Sequence, residues 1–364
     1  MKPQKVITVV QATSILVSTI VGVGVLPLPL FAVQAAETGA PLATLAAMGI
    51  ASVGLVLVTL LGMRFPQSTF TELSERIIGR WLAAPMTLLV IAFFAVLAAL
   101  AAREFGTVVV TSVLKNTPIE VTVFVMLLLA TLSARADVRS FSYMHMFYLP
   151  VVLIPALIIV VLSLKNSNML YLMPIFGNRR PDLIGGIFTI AALFQGYFVM
   201  THVIPNMRRP EKAMIASITG MFIAGGLYLL MVVAVVAVFG PMETMNLLWP
   251  TLELAKTTAL PANVLERLDA AFLSVWVTAV FTTLLSSYYL TVRTMGELLR
   301  LRDHKPFTFF VFPLVFWIAM LPENVLNLYE VIEIVGRIGL GLTILYPGVL
   351  LLISALRGVR GENA

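Results

Sequence analysis

Gly22-Val23-Gly24-Val25-Leu26-Pro27-Leu28-Pro29 interrupts the first membrane-length apolar run of the chain, where the middle of a span is expected. Glycine and proline release backbone N–H and C=O groups from a helical ladder. Inside a bilayer such groups persist only where protein buries them or where they line a polar cavity. A second interruption, Phe194-Gln195-Gly196-Tyr197, breaks another apolar run about half a chain later. Two broken spans at corresponding places in two halves point to a ligand site at the midplane of an internally repeated, transporter-like protein.

Composition fixes the class. Hydrophobic residues make up 60% of the 364 residues and charged residues only 12%, against roughly 25% charged in a soluble domain. Runs that are apolar all round cannot hide in one water-soluble core, so the chain reads as an all-α polytopic membrane protein. The absence of cysteine excludes disulfides, Cys-ligated zinc and thiol chemistry. The net charge of +6 fits basic cytoplasmic loops rather than a nucleic-acid partner. Met1-Lys2-Pro3-Gln4-Lys5 leads into a long span with no small-residue cleavage site, so the first helix reads as a retained anchor.

A window of about 20 apolar residues gives about ten spans, at 8–35, 40–63, 82–110, 119–134, 143–163, 183–205, 213–239, 268–296, 306–322 and 326–356. With the N-terminus cytoplasmic, 16 of the 24 Lys and Arg residues fall on the inner side. That bias places both termini inside. The expected organisation is a single integral membrane domain over 1–364, with one repeat at about 8–163 and the second at about 183–356. Pro66 to Trp81, with Phe70, Leu73, Ile77 and Ile78 among Glu72, Glu75, Arg76 and Arg80, has the spacing of an amphipathic helix on the cytoplasmic surface. Pro241 to Arg267 is the longest outer connection and contains Trp249-Pro250-Thr251. It is read either as a cap on the site or as a partner-docking loop.

The order of ten spans, the Gly22-Val23-Gly24 break followed by Leu28-Pro29, the Trp249-Pro250-Thr251 loop, and Val275-Trp276 followed by Phe281-Thr282-Thr283 together resemble the B subunits of spore germinant receptors. Those belong to the amino acid–polyamine–organocation superfamily. The resemblance covers nearly the whole chain. It implies a LeuT-like five-plus-five inverted repeat with discontinuous helices 1 and 6. It also implies a germinant-sensing subunit in the spore inner membrane, with a small-molecule germinant such as an amino acid, an A subunit and a C lipoprotein as partners. No cofactor or metal is implied.

Freed N–H groups at Gly22, Val23 and Gly24, with the positive end of the following half-helix, suit a ligand carboxylate. Carbonyls ending the preceding half-helix suit an ammonium group. Gln195 and Gly196 supply a second polar set, and Phe194, Tyr197 and Phe198 apolar walls; alternatively the glycines serve close helix packing alone. In the third span Phe93, Leu97 and Leu100 share a face. The resemblance puts that helix against the broken ones and makes Phe93 and Leu97 ligand contacts, with bundle packing as the alternative. Arg103 and Glu104, ionisable groups within a span, are read as gating or buried charges, or as snorkelling side chains.

In the eighth span Thr278, Thr282 and Ser286 recur every four residues beside a second row, Thr283 and Ser287. Thr282 and Thr283 are read as ligand-near and Ser286 and Ser287 as an ion or polar stripe, against bonding back to their own helix. Sodium-coupled relatives of the fold use the eighth helix in that way. The fifth span carries no Lys, and Phe198 stands where transporters of the superfamily often place Glu; both departures weaken the case for active transport. Glu330, Glu333 and Arg337 form either a helix-end ion-pair row or a vestibule lining. No P-loop, Gly-x-Ser-x-Gly elbow or His-Glu-x-x-His pattern is present, and the three histidines are scattered, so the chain reads as a non-enzyme. Two functions remain, a ligand-sensing receptor subunit and an amino acid carrier.

Overall fold

A computed structural model describes residues 5–177, 182–257, 268–301 and 303–361. Helix α1 (Val9–Ile20) starts on a capping box: the Thr8 hydroxyl accepts from Gln11 N, and Gln11 Oε1 accepts from Thr8 N. It stops at the glycines. Gly22 is non-helical (φ −152°, ψ −116°), and Val23–Val25 make a 3-10 turn before α2 (Leu28–Ala36), whose first turn holds Pro29. Proline fits there because the N–H it lacks has no intrahelical acceptor in any case. Glu37, at φ 51°, turns the chain into α3 (Ala40–Arg64).

The first half continues through α4 (Phe70–Ile78), α5 (Arg80–Ser112), α6 (Ile119–Ser133) and α7 (Val138–Ser163). Asp137 caps α7 by accepting from Ser140 N, and its hydrogen bonding with Ser140 holds its carboxyl below the ordinary carboxylate range. The second half holds α8 (Leu183–Ala192), a 3-10 segment at Gln195–Val199, α9 (Met200–Val203), α10 (Ala213–Thr244) and α11 (Pro250–Thr257). It ends with α12 (Leu268–Leu298), α13 (Lys305–Ala319), α14 (Val325–Leu340), a π turn at Gly341–Leu345, and α15 (Tyr346–Leu356).

Six helical stretches among the described residues are long and apolar enough to cross a bilayer unaided: Leu28–Arg64, Arg80–Ser112, Val138–Asn166, Pro210–Thr244, Phe272–Leu298 and Val325–Leu356. Leu183–Ala192 and Gln195–Asn206, bent by 42° at the second interruption, together make a seventh. Val9–Ile20, Ile119–Ser133 and Lys305–Ala319 are apolar but shorter; they fall within the expected first, fourth and ninth spans. The chain is an integral membrane protein. Helix α12 runs through its middle, packed on α5, α7, α1 and α6, while α10 packs on α1 and α3.

The break between α1 and α2 is stitched by hydroxyl groups. Thr282 Oγ1 donates to Ser18 O (2.8 Å), shared with Ala279 O, and Thr283 Oγ1 donates to Thr19 O (3.0 Å). Tyr228 Oη of α10 donates to Ile20 O (2.6 Å), and Thr251 Oγ1 of α11 donates to Val25 O (2.7 Å). Four carbonyls around the break thus receive a hydrogen from another helix. The Trp249-Pro250-Thr251 connection, read from sequence as cap or dock, reaches the break; its residues 258–267 lie outside the described ones.

The amphipathic segment forms α4, but its apolar face meets protein. Phe70 packs edge-on against the rings of Phe198 and Tyr346, and Phe70, Leu73 and Ile77 are buried. The rest of the bundle covers that face as well as lipid would.

Three substitutions test this packing. Tyr228→Phe leaves the buried Ile20 carbonyl without its donor and is expected to cost about 1–2 kcal/mol, read as a lower thermal transition of the detergent-solubilised protein. On α3, a Cβ at Gly54 would overlap the hydroxyl of fully buried Tyr197, whereas one at Gly49 meets open space. Gly54→Ala should therefore destabilise by about 1–3 kcal/mol, and Gly49→Ala should leave the transition unchanged or raise it.

Candidate ligand-binding site

A cavity of ≈ 100 Å³ lies where the two interruptions meet. The α1–α2 break contributes Thr19, Ile20, Val23, Gly24 and Pro27; the α8 side contributes Thr189, Ala192, Leu193, Gln195 and Gly196. Close approach of the two breaks needs glycine at position 196, where a Cβ would stand 2.8 Å from Thr19 O. Helix α5 adds Leu97, Leu100, Ala101 and Glu104, α12 adds Thr283 and Ser287, and α14 adds Ile332 and Gly336.

Of the residues singled out from sequence, Val23, Gly24, Leu97, Leu100, Glu104, Gln195, Gly196, Thr283 and Ser287 line this cavity. The others lie around it. Gly22 sits against α12, where a Cβ would overlap Thr283 Oγ1. Phe93 packs on Phe94 and Gly339, and Phe194 on Tyr228. Tyr197 is buried and donates to Thr343 Oγ1 (3.0 Å). Arg103 turns outward and donates to Pro322 O (2.6 Å). Of the α5 stripe Phe93, Leu97 and Leu100, the last two line the cavity, and the lining continues along the helix through Ala101 to Glu104.

The two polar rows of α12 divide their work. Thr283 and Ser287 face the cavity, whereas Thr282 and Ser286 face α1 and α7. There a directed chain of hydrogen bonds forms around His145, which is fully buried. Thr19 Oγ1 donates to Ser286 Oγ (2.7 Å), and Ser286 Oγ donates to His145 Nε2 (3.2 Å). His145 Nδ1 donates to Ser18 Oγ (2.6 Å), and Ser18 Oγ donates to Ser14 O (2.6 Å). This direction gives each group a partner with a neutral imidazole and follows from Ser14 O, which can only accept. Sequence reading left His145 among scattered histidines. The signal was the pair Ser14 and Ser18, one turn apart just before the break, which needs a partner in an apolar setting.

Above the cavity lies a recess of ≈ 350 Å³ lined by Phe31, Gln34, Asp182, Glu333 and Arg337 among others. Arg337 pairs with Glu333 and with Asp182 (3.3 Å), and its Nε donates to Thr189 Oγ1 (3.0 Å). Thr189 borders both the recess and the cavity. The helix-end ion pair and the vestibule lining, separate readings of the sequence, are one arrangement.

The chain is similar along its whole length to germination proteins. It is 24% identical over 366 residues to spore germination protein YndE of Bacillus subtilis, covering 99% of each chain. With spore germination protein B2 of the same organism it is 25% identical over 79% of this chain and 78% of that one. With spore germination protein GerLB of Bacillus cereus it is 26% identical, covering 95% and 93%. In three dimensions it resembles Mhp1, a nucleobase-cation-symport-1 family transporter solved in a closed conformation with bromovinylhydantoin bound. That likeness has a TM-score of 0.70 at 12% identity, over 97% of this chain and 79% of that one; at this identity it speaks for the fold alone. These relatives are germination proteins and a transporter, not enzymes. Residues 6–327 match the family described as "Spore germination protein", and the chain belongs to that family.

Proposed function

We propose that this protein is the germinant-sensing membrane subunit of a spore germination receptor and that a small amino acid or similar nutrient binds in the cavity between the two broken helices. The observation that carries the reading is the cavity itself, walled by two backbone interruptions brought face to face inside the bundle. Val23 and Gly24 each present a backbone N–H that donates to no other backbone or side-chain group among the described residues. Those donors suit a carboxylate. In this reading ten spans form a five-plus-five inverted repeat, one over about 8–163 and one over about 183–356, in a single membrane domain with both termini cytoplasmic. Val9–Ile20 with Leu28–Ala36 make the first broken span and Leu183–Asn206 the sixth. The setting is the spore inner membrane, and the partners are an A subunit and a C lipoprotein.

Ligand binding favours one conformation, which the partner subunits read. The shift can be no larger than the ligand's differential affinity for the two states. The second reading is an amino acid carrier working by alternating access; the likeness to a transporter fold favours it.

Reconstituted vesicles separate the two. For the receptor, an amino acid is expected to raise the thermal transition of the purified protein, while the same radiolabelled amino acid does not accumulate inside vesicles under a proton or sodium gradient. Gradient-driven accumulation would establish the carrier. No stabilisation by any amino acid would remove the ligand reading. Leu97→Trp, which fills the cavity from α5, should weaken binding at least about tenfold, or roughly 1.4 kcal/mol; Leu88→Trp, on the exposed face of the same helix, should leave it unchanged. Titration calorimetry in detergent checks both.

A further inference from the structure

Glu104 is 3% exposed within a membrane-spanning helix, borders the cavity, and takes part in no hydrogen bond or ion pair among the described residues. A buried carboxylate without a partner is costly, and within a span it marks function by default. Its neighbours have spent their donors elsewhere. The adjacent Arg103 donates to Pro322 O. The hydroxyls of Tyr228 and Tyr329 donate to Ile20 O and Leu248 O. Among the described residues nothing answers this carboxyl group.

The other acceptors around the cavity sharpen the point. The carbonyls ending α1, at Ser18, Thr19 and Ile20, each already receive a hydroxyl hydrogen, which leaves a cation only their second lone pairs. Gln195 Oε1 is buried and unpartnered, its amide fixed by Nε2 donating to Gly336 O (2.5 Å). A ligand entering the cavity therefore meets one unanswered carboxyl group, one unanswered amide oxygen and, at the α1–α2 break, N–H groups without a partner among the described residues.

We propose that the cavity takes a small ligand bearing a protonated amine and that the Glu104 carboxylate holds its ammonium group. This inference rests on the ligand-site reading above. A charge-assisted hydrogen bond in a water-poor cavity is among the stronger polar contacts available, and it gives the site a criterion of choice: an acid or a neutral solute of the same shape leaves Glu104 unpaired and is rejected. A cavity of ≈ 100 Å³, well below the roughly 300–1,000 Å³ of drug-sized pockets, further restricts the ligand to a small amine or amino acid.

The test uses the full-length protein in detergent, with the twenty amino acids as probes and, for each binder, its deaminated acid and its decarboxylated amine. Binding is expected to need the amine, to fall about thirtyfold or more in Glu104→Gln, and to be largely kept in Glu104→Asp. Equal affinity of wild type and Glu104→Gln for an amino acid would overturn the ammonium assignment while leaving the ligand site in place. Preference for the deaminated acid, or stabilisation by sodium alone that Glu104→Gln abolishes, would also overturn it. If no probe binds the wild type, the ligand-site reading fails and takes this inference with it.

Discussion

A helix that stops inside a bilayer leaves carbonyls that lipid cannot satisfy, and the bundle is arranged around meeting that demand at Gly22. Ser18, Thr19, Ile20 and Val25 receive hydrogens from Thr282, Thr283, Tyr228 and Thr251, drawn from α12, α10 and α11. Three helices must therefore hold fixed positions relative to the break. The cavity is a consequence of this arrangement: the interruption shortens α1, α12 closes on one side of it, and the second interruption at Gln195 fills the other side only in part.

The same demand explains why some of the site was legible in the sequence. Glycine and proline are visible without any knowledge of neighbours, and both interruptions fell where Gly22-Val23-Gly24 and Gln195-Gly196 put them. A row of hydroxyls at four-residue spacing is likewise a local pattern, and α12 uses both of its rows. What stayed hidden depends on long-range pairing. His145 gains meaning only once Ser18 and Ser286, 127 and 141 residues away, are seen beside it. The isolation of Glu104 is a statement about what its neighbours are doing, which no window of sequence contains. Phe93 shares a helix face with Leu97, yet Gly339 leaves room for its ring outside the cavity, so of that stripe only Leu97 and Leu100 reach the lining. Counting spans by apolar length met a related obstacle, since a broken span divides into pieces such as Val9–Ile20 that are too short to count alone.

Two of the long spans contrast in polarity and burial. Phe272–Leu298 is the least apolar of the long spans and the most enclosed, with 72% of its apolar window buried, whereas Val138–Asn166 is among the most apolar and has 28% buried. In water a polar helix face would seek the surface. In lipid it seeks the interior, because hydroxyl and amide groups find partners only there. A sequence-level surplus of Thr and Ser in one span is thus a marker of position.

Centrality in turn decides which helix can link the site to the rest of the molecule. Through Thr283 and Ser287 α12 touches the cavity, through Thr282 it holds the end of α1, and through Ser286 it joins His145 of α7. A ligand that displaces the α1–α2 break by a fraction of an ångström must stretch or release at least two of these bonds together, since they grip consecutive residues of one peptide segment. Bonds so coupled favour two discrete arrangements over a continuum, and a two-state element beside the cavity is the physical requirement for a ligand's differential affinity to be read elsewhere. In either proposed function, sensing or transport, ligand binding would act on that element. They differ in whether its second arrangement opens a path through the bundle.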